Sequence, residues 1–496
     1  MEYFIGIDLG TSSVRVLALG EQGNVLAIQG RDYAILEPQP GFSEQSTAEW
    51  WDATSDCLQR LQGLDLLKNG RVRAVGLSGQ MHGLVLLDRE GNALRNAIIW
   101  PDRRTADICR EWSQTIGAET ISSIAGLPLA TGFMAPSLAW VKRHEPEIYR
   151  KAAHALLPKD YIRYRLTGEI ATDLTDASGS LLFDVARGSW SAQLLKSYDL
   201  DEHILPPVMN TAHIAGEVTA SAAAATAIPP GTPVAAGGAD IAMAALALGV
   251  DRPGTVVVSI STGGTVITGI DRPILDSRMH TLCSATSGRW ILMGATLSAG
   301  LSLSWFARNV AVPLGASPDN VIDRISRDAQ NVPAGSEGLL FAPYLCGERT
   351  PYMNPHAKGC FVGLSLRHSS AHMVRAIMEG VAFSLCESLD IFDALHVPAS
   401  TVLCSGGGAR SPLWRQILAD TFDRPVSWDP SEEHSGIGAA MVAAMATGSP
   451  LTATSAGEPP SDVVQPQPEQ VATYQKQRET FKHIHPQLAG IFEALA

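Results

Sequence analysis

The sequence has no Cys-X-X-Cys pair, no run of basic residues and no long uninterrupted apolar stretch. Each absence excludes something. The seven cysteines are scattered and odd in number. Without metal-ligand spacing they read as reduced, mostly buried thiols of a cytoplasmic protein, not a disulfide framework or a zinc site. Thirty-seven Lys and Arg stand against 50 Asp and Glu, a net charge of −13. Such an acid balance makes nucleic acid and anionic membrane surfaces poor partners. The most apolar window, Val234–Val250, is interrupted by Gly237, Gly238 and Asp240, so no membrane span is expected. The first residues enter a strand pattern at once, and no signal peptide is expected.

What is present begins at Phe4–Leu19, FIGIDLGTSSVRVLAL. A strand closes near an aspartate, a tight Gly-Thr-Ser-Ser turn follows, and apolar and β-branched residues return as a second strand. Such a hairpin turns the backbone N–H and hydroxyl groups of Gly10, Thr11, Ser12 and Ser13 toward one corner, beside Asp8. Phosphate oxygens want such donors and magnesium wants such a carboxylate, although an ordinary hairpin with a polar turn has the same pattern. Downstream, Val256–Ile270 reads VVVSISTGGTVITGI, again strand, turn and strand. Aligning Thr11 with Thr262 sets Ser12 and Ser13 opposite Gly263 and Gly264. At 496 residues the chain is too long for one core. Two hairpins in two halves therefore suggest an internal duplication with a nucleotide held between the halves.

Further strand ends carry candidate chemistry, because loops there line the clefts of α/β proteins. A strand Val72–Leu77 leads into Ser78-Gly79-Gln80-Met81-His82-Gly83, which suits a ligand contact by Met81 and His82 or a structural histidine. A strand Ala97–Trp100 leads into Pro101-Asp102-Arg103-Arg104. There Trp100 and Asp102 suit a polyhydroxylated ligand, or Asp102 caps a helix. Asp173–Gly179 reads as a polar loop facing a cleft. A strand Pro233–Ala236 ends in Gly237-Gly238-Ala239-Asp240 before an alanine-rich helix. Paired glycines let a ligand approach, and Asp240 at the helix N-terminus is a catalytic base kept ionised by the macrodipole, an N-cap, or both. Gly406-Gly407-Gly408-Ala409-Arg410 lies between a strand and the helix Pro412–Phe422, where bare backbone can meet a nucleotide. Ser435–Ala446 reads as a small-residue helix, Ser449–Pro468 as a linker, and Glu469–Leu495 as one terminal helix.

Taken together, Ile7–Ser12, Ser78–Gly83, Leu157–Tyr161, Gly237–Asp240, Tyr344–Pro351, Gly359–Glu379 and Gly406–Arg410 resemble the FGGY family of carbohydrate kinases over nearly the whole chain. Ser137, Ser261 and Pro101 depart from the pattern of the most similar members. The resemblance implies an α/β fold of two actin-like (ribonuclease H-like) domains with an ATP/sugar cleft between them, divided as residues 1–247 and 248–496. It also implies transfer from MgATP to a primary hydroxyl of a ketopentose, D-xylulose being the first choice. Ribulose, a deoxy-ketose or a polyol is the alternative, and a non-catalytic actin-like ATP switch the reading from another class. By the same resemblance Asp240 is the base, Met81, His82, Trp100 and Asp102 contact sugar, and Asp8 binds Mg2+. Thr11, Ser12 and Ser13 face the transferred phosphate, while Thr262, Gly263, Gly407 and Ser411 contact ATP. Expected partners are the sugar and ATP alone, with no nucleic acid and no membrane, and a homodimer is the assembly to test.

Overall fold

The computed structural model describes residues 1–496 except 316, 318, 432, 450, 452–462 and 496. The chain forms two compact units. The first is Met1–Asp251 with Ile270–Ile291 and Glu433–Glu458; the second is Arg252–Gly269, Leu292–Glu432 and Pro459–Ala496.

In the first unit, β1 (Glu2–Leu9), β2 (Ser13–Gly20) and β3 (Val25–Asp32) form an antiparallel meander. Beside β1 runs β4 (Arg71–Gly79) in parallel; β5 (Ile214–Glu217) and β6 (Pro233–Ala235) are antiparallel to one another and β6 lies parallel to β4, in the sheet order β5-β6-β4-β1-β2-β3. Gly238–Ala239 adds a short parallel ladder to the end of β4. Side chains alternate across a strand, so β1 sends Tyr3, Ile5, Ile7 and Leu9 into a core with Trp50 and Leu58 of the helix Thr47–Gln62. Gly6 and Asp8 lie on the opposite face. There the helix His434–Ala446 approaches so closely that a Cβ on Gly6 would stand 2.0 Å from the Gly436 carbonyl. One on Gly76 would stand 1.9 Å from that of Ala439. The small residues of this helix therefore serve close packing on the sheet.

In the second unit, β7 (Gly254–Ile260) and β8 (Gly264–Ile270) are antiparallel, with β9 (Trp290–Thr296) beside β8. On the other side of β7 lie parallel β10 (Ala399–Ser405) and β11 (Val426–Trp428). The order β9-β8-β7-β10-β11 repeats β3-β2-β1-β4-β6 of the first unit, which is the duplication that the two hairpins announce. A long helix, Ser370–Ala394, runs in the same unit.

Three local expectations differ. The terminal segment is two helices, Pro468–Phe481 and Ile484–Ala494, divided at Lys482-His483. Asp173–Gly179 is a buried one-turn helix, Leu174–Ser178, capped by Asp173. The strand expected at Ala97–Trp100 stops at Ile98. Most of the expected linker Ser449–Pro468 lies outside the described residues.

Candidate active site

In the first unit two carboxylates stand near one another at the sheet's end. Asp8 is the last residue but one of β1, in register with Ser78 of β4, and its Oδ1 is buried without a hydrogen-bond partner. Burial pushes its pKa up to about 6; Ser78 and Arg15 oppose the rise and Glu433 adds to it. Asp240 is the first residue of the helix Asp240–Ala247, with Ala239 at the N-cap position. It is thus inside the helix and not its cap. Burial, reinforced by the charge of Asp8, pushes Asp240 up to about 7 against the Ile241 N–H that it accepts at 2.7 Å. The helix end therefore does not keep it fully ionised: desolvation and a like charge outweigh the favourable dipole. Its Oδ2 accepts no hydrogen bond among the described residues, so a ligand hydroxyl can take that place.

Backbone chemistry holds Asp240 where it is. Gly238 and Ala239 pair with Ser78 and Gly79 of β4. Gly237 has φ +76°, and a Cβ there would lie 2.5 Å from the Leu77 carbonyl, so the turn demands glycine. From the other side Ser435 Oγ donates to the Asp240 carbonyl at 3.2 Å.

Around the end of β4 the remaining candidates divide. Met81 is buried, and His82 adopts φ +72°. The His82 Nδ1 lies 2.6 Å from the Gly179 carbonyl, and its ring rests on Phe133 at 4.0 Å. A carbonyl only accepts, so Nδ1 carries the proton and Nε2 becomes the acceptor of the neutral ring. Trp100 is 42% exposed, with its indole Nε1 donating to Thr11 Oγ1 at 2.9 Å. That bond joins a sugar candidate to the turn. Gln45 Nε2 steadies the same turn through the Thr11 carbonyl at 2.7 Å, and Ser12 accepts from Tyr33 N at 3.0 Å. Ser13 opens β2.

Asp102 is wholly buried and fully engaged. It accepts from Ser43 N at 2.6 Å, Arg104 N at 2.9 Å and the Arg104 guanidinium at 2.8–3.0 Å. It caps no helix, since Thr105 precedes Ala106–Trp112. Arg104 in turn lies over the Phe42 ring at 3.9 Å. Asp102 thus stiffens the loop that carries Trp100.

The second unit holds a cavity of about 450 Å³ lined by Ile260, Ser261, Thr262, Gly300, Leu301, Leu303, Ser304, Arg308, Ile322, Gly407, Gly408 and Trp414. Thr262 and Gly407 therefore line it. Gly263 and Ser411 are not among its lining residues: a Cβ on Gly263 would meet the Thr296 carbonyl at 2.8 Å, and Ser411 caps the helix Pro412–Phe422 by accepting from Trp414 N. Residue reading missed Arg308, the one charged lining residue among those described, which sits in a π-helical turn, Ala307–Ala311. Nothing in a helix pattern marks such a turn, although π turns recur at functional sites. It also left Glu348 in an unassigned loop. That carboxylate is buried and pushed up to about 7 by desolvation. It accepts from Thr296 Oγ1 at 2.6 Å and Leu297 N at 3.3 Å, bracing the segment that leads to Gly300.

Among the described residues no group of three or more metal-ligating side chains forms, and no helix is long and apolar enough to cross a membrane. Magnesium typically takes one or two carboxylates plus substrate phosphates. The unpartnered Oδ1 of Asp8 beside Asp240 fits that donor set.

Residues 3–247 match the N-terminal domain of the FGGY family of carbohydrate kinases, and residues 256–447 match its C-terminal domain. The chain belongs to this family. FGGY kinases are ATP-dependent sugar kinases, and this chain is one of them. It is similar to a xylulose kinase of Escherichia coli (strain K12), 37% identical over 98% of this chain and 99% of the relative. It is also similar to one of Bacillus subtilis (strain 168), 36% identical over 90% and 89%. Among solved structures, xylulose kinase from Rhodospirillum rubrum superposes with a TM-score of 0.92 at 30% identity, covering 99% of this chain and all of that one. The FGGY fold of two α/β domains is thus common to chain and relatives.

Proposed function

We propose that this FGGY kinase transfers the terminal phosphoryl group of ATP to the primary hydroxyl O5 of D-xylulose, giving D-xylulose 5-phosphate. The single observation that carries the mechanism is Asp240, a carboxylate with one oxygen open and a pKa pushed to about 7. Such a base is ionised enough to act near neutral pH and basic enough to take the proton of an alcohol. Asp240 accepts the hydroxyl proton as the oxygen attacks phosphorus, while the bond from phosphorus to the ADP oxygen breaks. Alignment and charge neutralisation supply the rest, since phosphoryl transfer needs little covalent help. Met81, His82 and Trp100 form the sugar-facing surface, with Asp102 acting on it through the loop it stiffens. Thr11, Ser12 and Ser13 offer donors to the phosphoryl oxygens. Thr262 and Gly407 line the nucleotide cavity, next in sequence to Gly263 and near Ser411. Asp8 would hold Mg2+, which when bound neutralises phosphate charge. The names of the relatives support xylulose as substrate.

A panel of D-xylulose, D-ribulose, a deoxy-ketose and a polyol, each assayed by ADP release, tests the substrate. Xylulose should show the highest kcat/KM. A higher value for another sugar reassigns the substrate, and ATP turnover that no sugar stimulates removes the reading. For the base, Asp240→Asn should lower kcat at least about 100-fold with ADP affinity unchanged.

A further inference from the structure

Behind Asp240 lies a buried ionic cluster that the transfer itself does not use. Lys159 Nζ sits 2.6 Å from Asp160 Oδ1, 3.0 Å from Asp173 Oδ1 and 3.2 Å from Asp176 Oδ2, all without solvent exposure. Arg163 completes it at 2.7 Å from Asp160. Burial tends to raise Asp160, and Lys159 and Arg163 overcome that to hold it below the usual range. Burial, with the charges of Asp173 and Asp160 added, pushes Asp176 well up despite Lys159. Two cations thus face three carboxyl groups away from solvent, and Asp176 is the one whose charged form burial and its neighbours disfavour.

One arm of the cluster reaches the base. Asp173 Oδ2 accepts from Thr175 Oγ1 at 2.6 Å, Thr175 N at 2.8 Å and Thr211 Oγ1 at 3.0 Å. The Thr175 hydroxyl proton is therefore committed to Asp173. Its oxygen accepts from the N–H of Ala239 at 2.8 Å, one residue before Asp240. A hydroxyl has one proton and two lone pairs, so fixing the proton also fixes where the acceptor points. The close fit leaves no slack: a Cβ on Gly238 would stand 2.7 Å from Thr175 Oγ1, and one on Gly79 would stand 2.9 Å from Lys159 Cβ.

We propose that Thr175, oriented by the Lys159–Asp173 pair, is a positioning residue that aims Asp240 by anchoring the Ala239 amide. This rests on Asp240 being the base. Misplacing a reacting group by about 1 Å costs on the order of 100-fold in rate, and Thr175→Val removes the acceptor while keeping the shape. The test compares wild type, Thr175→Val, Thr175→Ser, Asp240→Asn and the double variant Asp240→Asn/Thr175→Val, using sugar-stimulated ADP release. Expected are a 10- to 100-fold fall in kcat for Thr175→Val, a sugar KM within about threefold, and recovery in Thr175→Ser. The double variant should be no slower than Asp240→Asn alone, because Thr175 acts through that carboxylate. A further loss in the double variant, or equal activity of Thr175→Val and wild type, overturns the positioning role. Asp240→Asn turning over like wild type instead overturns the base assignment. If Thr175→Val does not fold, Thr175→Ala answers the same question without overpacking.

Discussion

The two hairpins share one scaffold and differ in what they expose. Asp8 in β1 and Ser259 in β7 occupy the same place, each in parallel register with a serine, Ser78 and Ser405 respectively. Beyond those serines the chains part. After Ser78 come Gly79, Gln80, Met81 and His82; after Ser405 come four residues of which three are glycine, Gly406, Gly407 and Gly408. The second hairpin is also tighter by one residue, since Leu9 closes on Val14 whereas Ile260 closes on Gly264. One unit thus offers carboxylates and rings at its strand ends, and the other offers bare backbone. A sugar is distinguished by the directions of its hydroxyls, which only placed side chains can read. A nucleotide presents flat rings and anionic oxygens, which main-chain amides and space accommodate.

The contrast is sharpest at Asp240, and the variant already proposed for activity has a second consequence. A carboxyl whose folded pKa, about 7, exceeds its unfolded value costs stability where it is ionised. That cost begins as pH rises past about 4 and is complete above about 7. Asp240→Asn should therefore stabilise the metal-free protein by up to about 4 kcal/mol at pH 8.5. Scanning calorimetry should show the gain vanish at pH 4, and a variant less stable at both values would contradict the assigned burial.

The backbone side is broken next. A Cβ at Gly407 would meet nothing within 4 Å, because the cavity lies there. Gly407→Ala should weaken ADP binding about tenfold without changing the melting temperature, as calorimetric titration and thermal scans can show. Its neighbour behaves oppositely: a Cβ on Gly408 would fall 2.3 Å from Ile260 Cγ2, so Gly408→Ala should lower stability by about 1–3 kcal/mol. Equal effects of the two would mean that space, not ligand approach, explains both glycines. The smallest effect is expected at Trp100→Phe, which keeps a ring but removes the donor to Thr11 Oγ1. At an exposed position such a bond contributes about 0.5 kcal/mol, so the sugar KM should rise no more than about threefold.

How much of this was legible follows from what local sequence can express. Strand–turn–strand patterns at Phe4–Leu19 and Val256–Ile270, and a glycine pair before Asp240, are short-range signals, and the fold honours them. Asp173, Thr175 and Asp176 read as a loop because polar residues usually seek water. Partners outside the segment, Lys159 and Thr211, make their burial tolerable. Asp102 looked available for the same reason, its partner Arg104 and the Ser43 amide being invisible as a set. The break at Lys482-His483 does carry a signal, Pro486, which has no N–H for the Lys482 carbonyl four residues back and whose ring crowds it; apolar periodicity alone runs through the position. Arg308 belongs to a helical turn whose widening no residue type announces.

The helix His434–Ala446 has a consequence for how the protein is made. It rests on β1 and β4, the strands at the centre of the first unit, yet leaves the ribosome after most of the second unit's chain. During synthesis the sheet face carrying Gly6 and Gly76 therefore waits uncovered, and a product truncated at residue 251 would keep that face open to aggregation. Completion of the first-made half thus depends on one of the last segments translated.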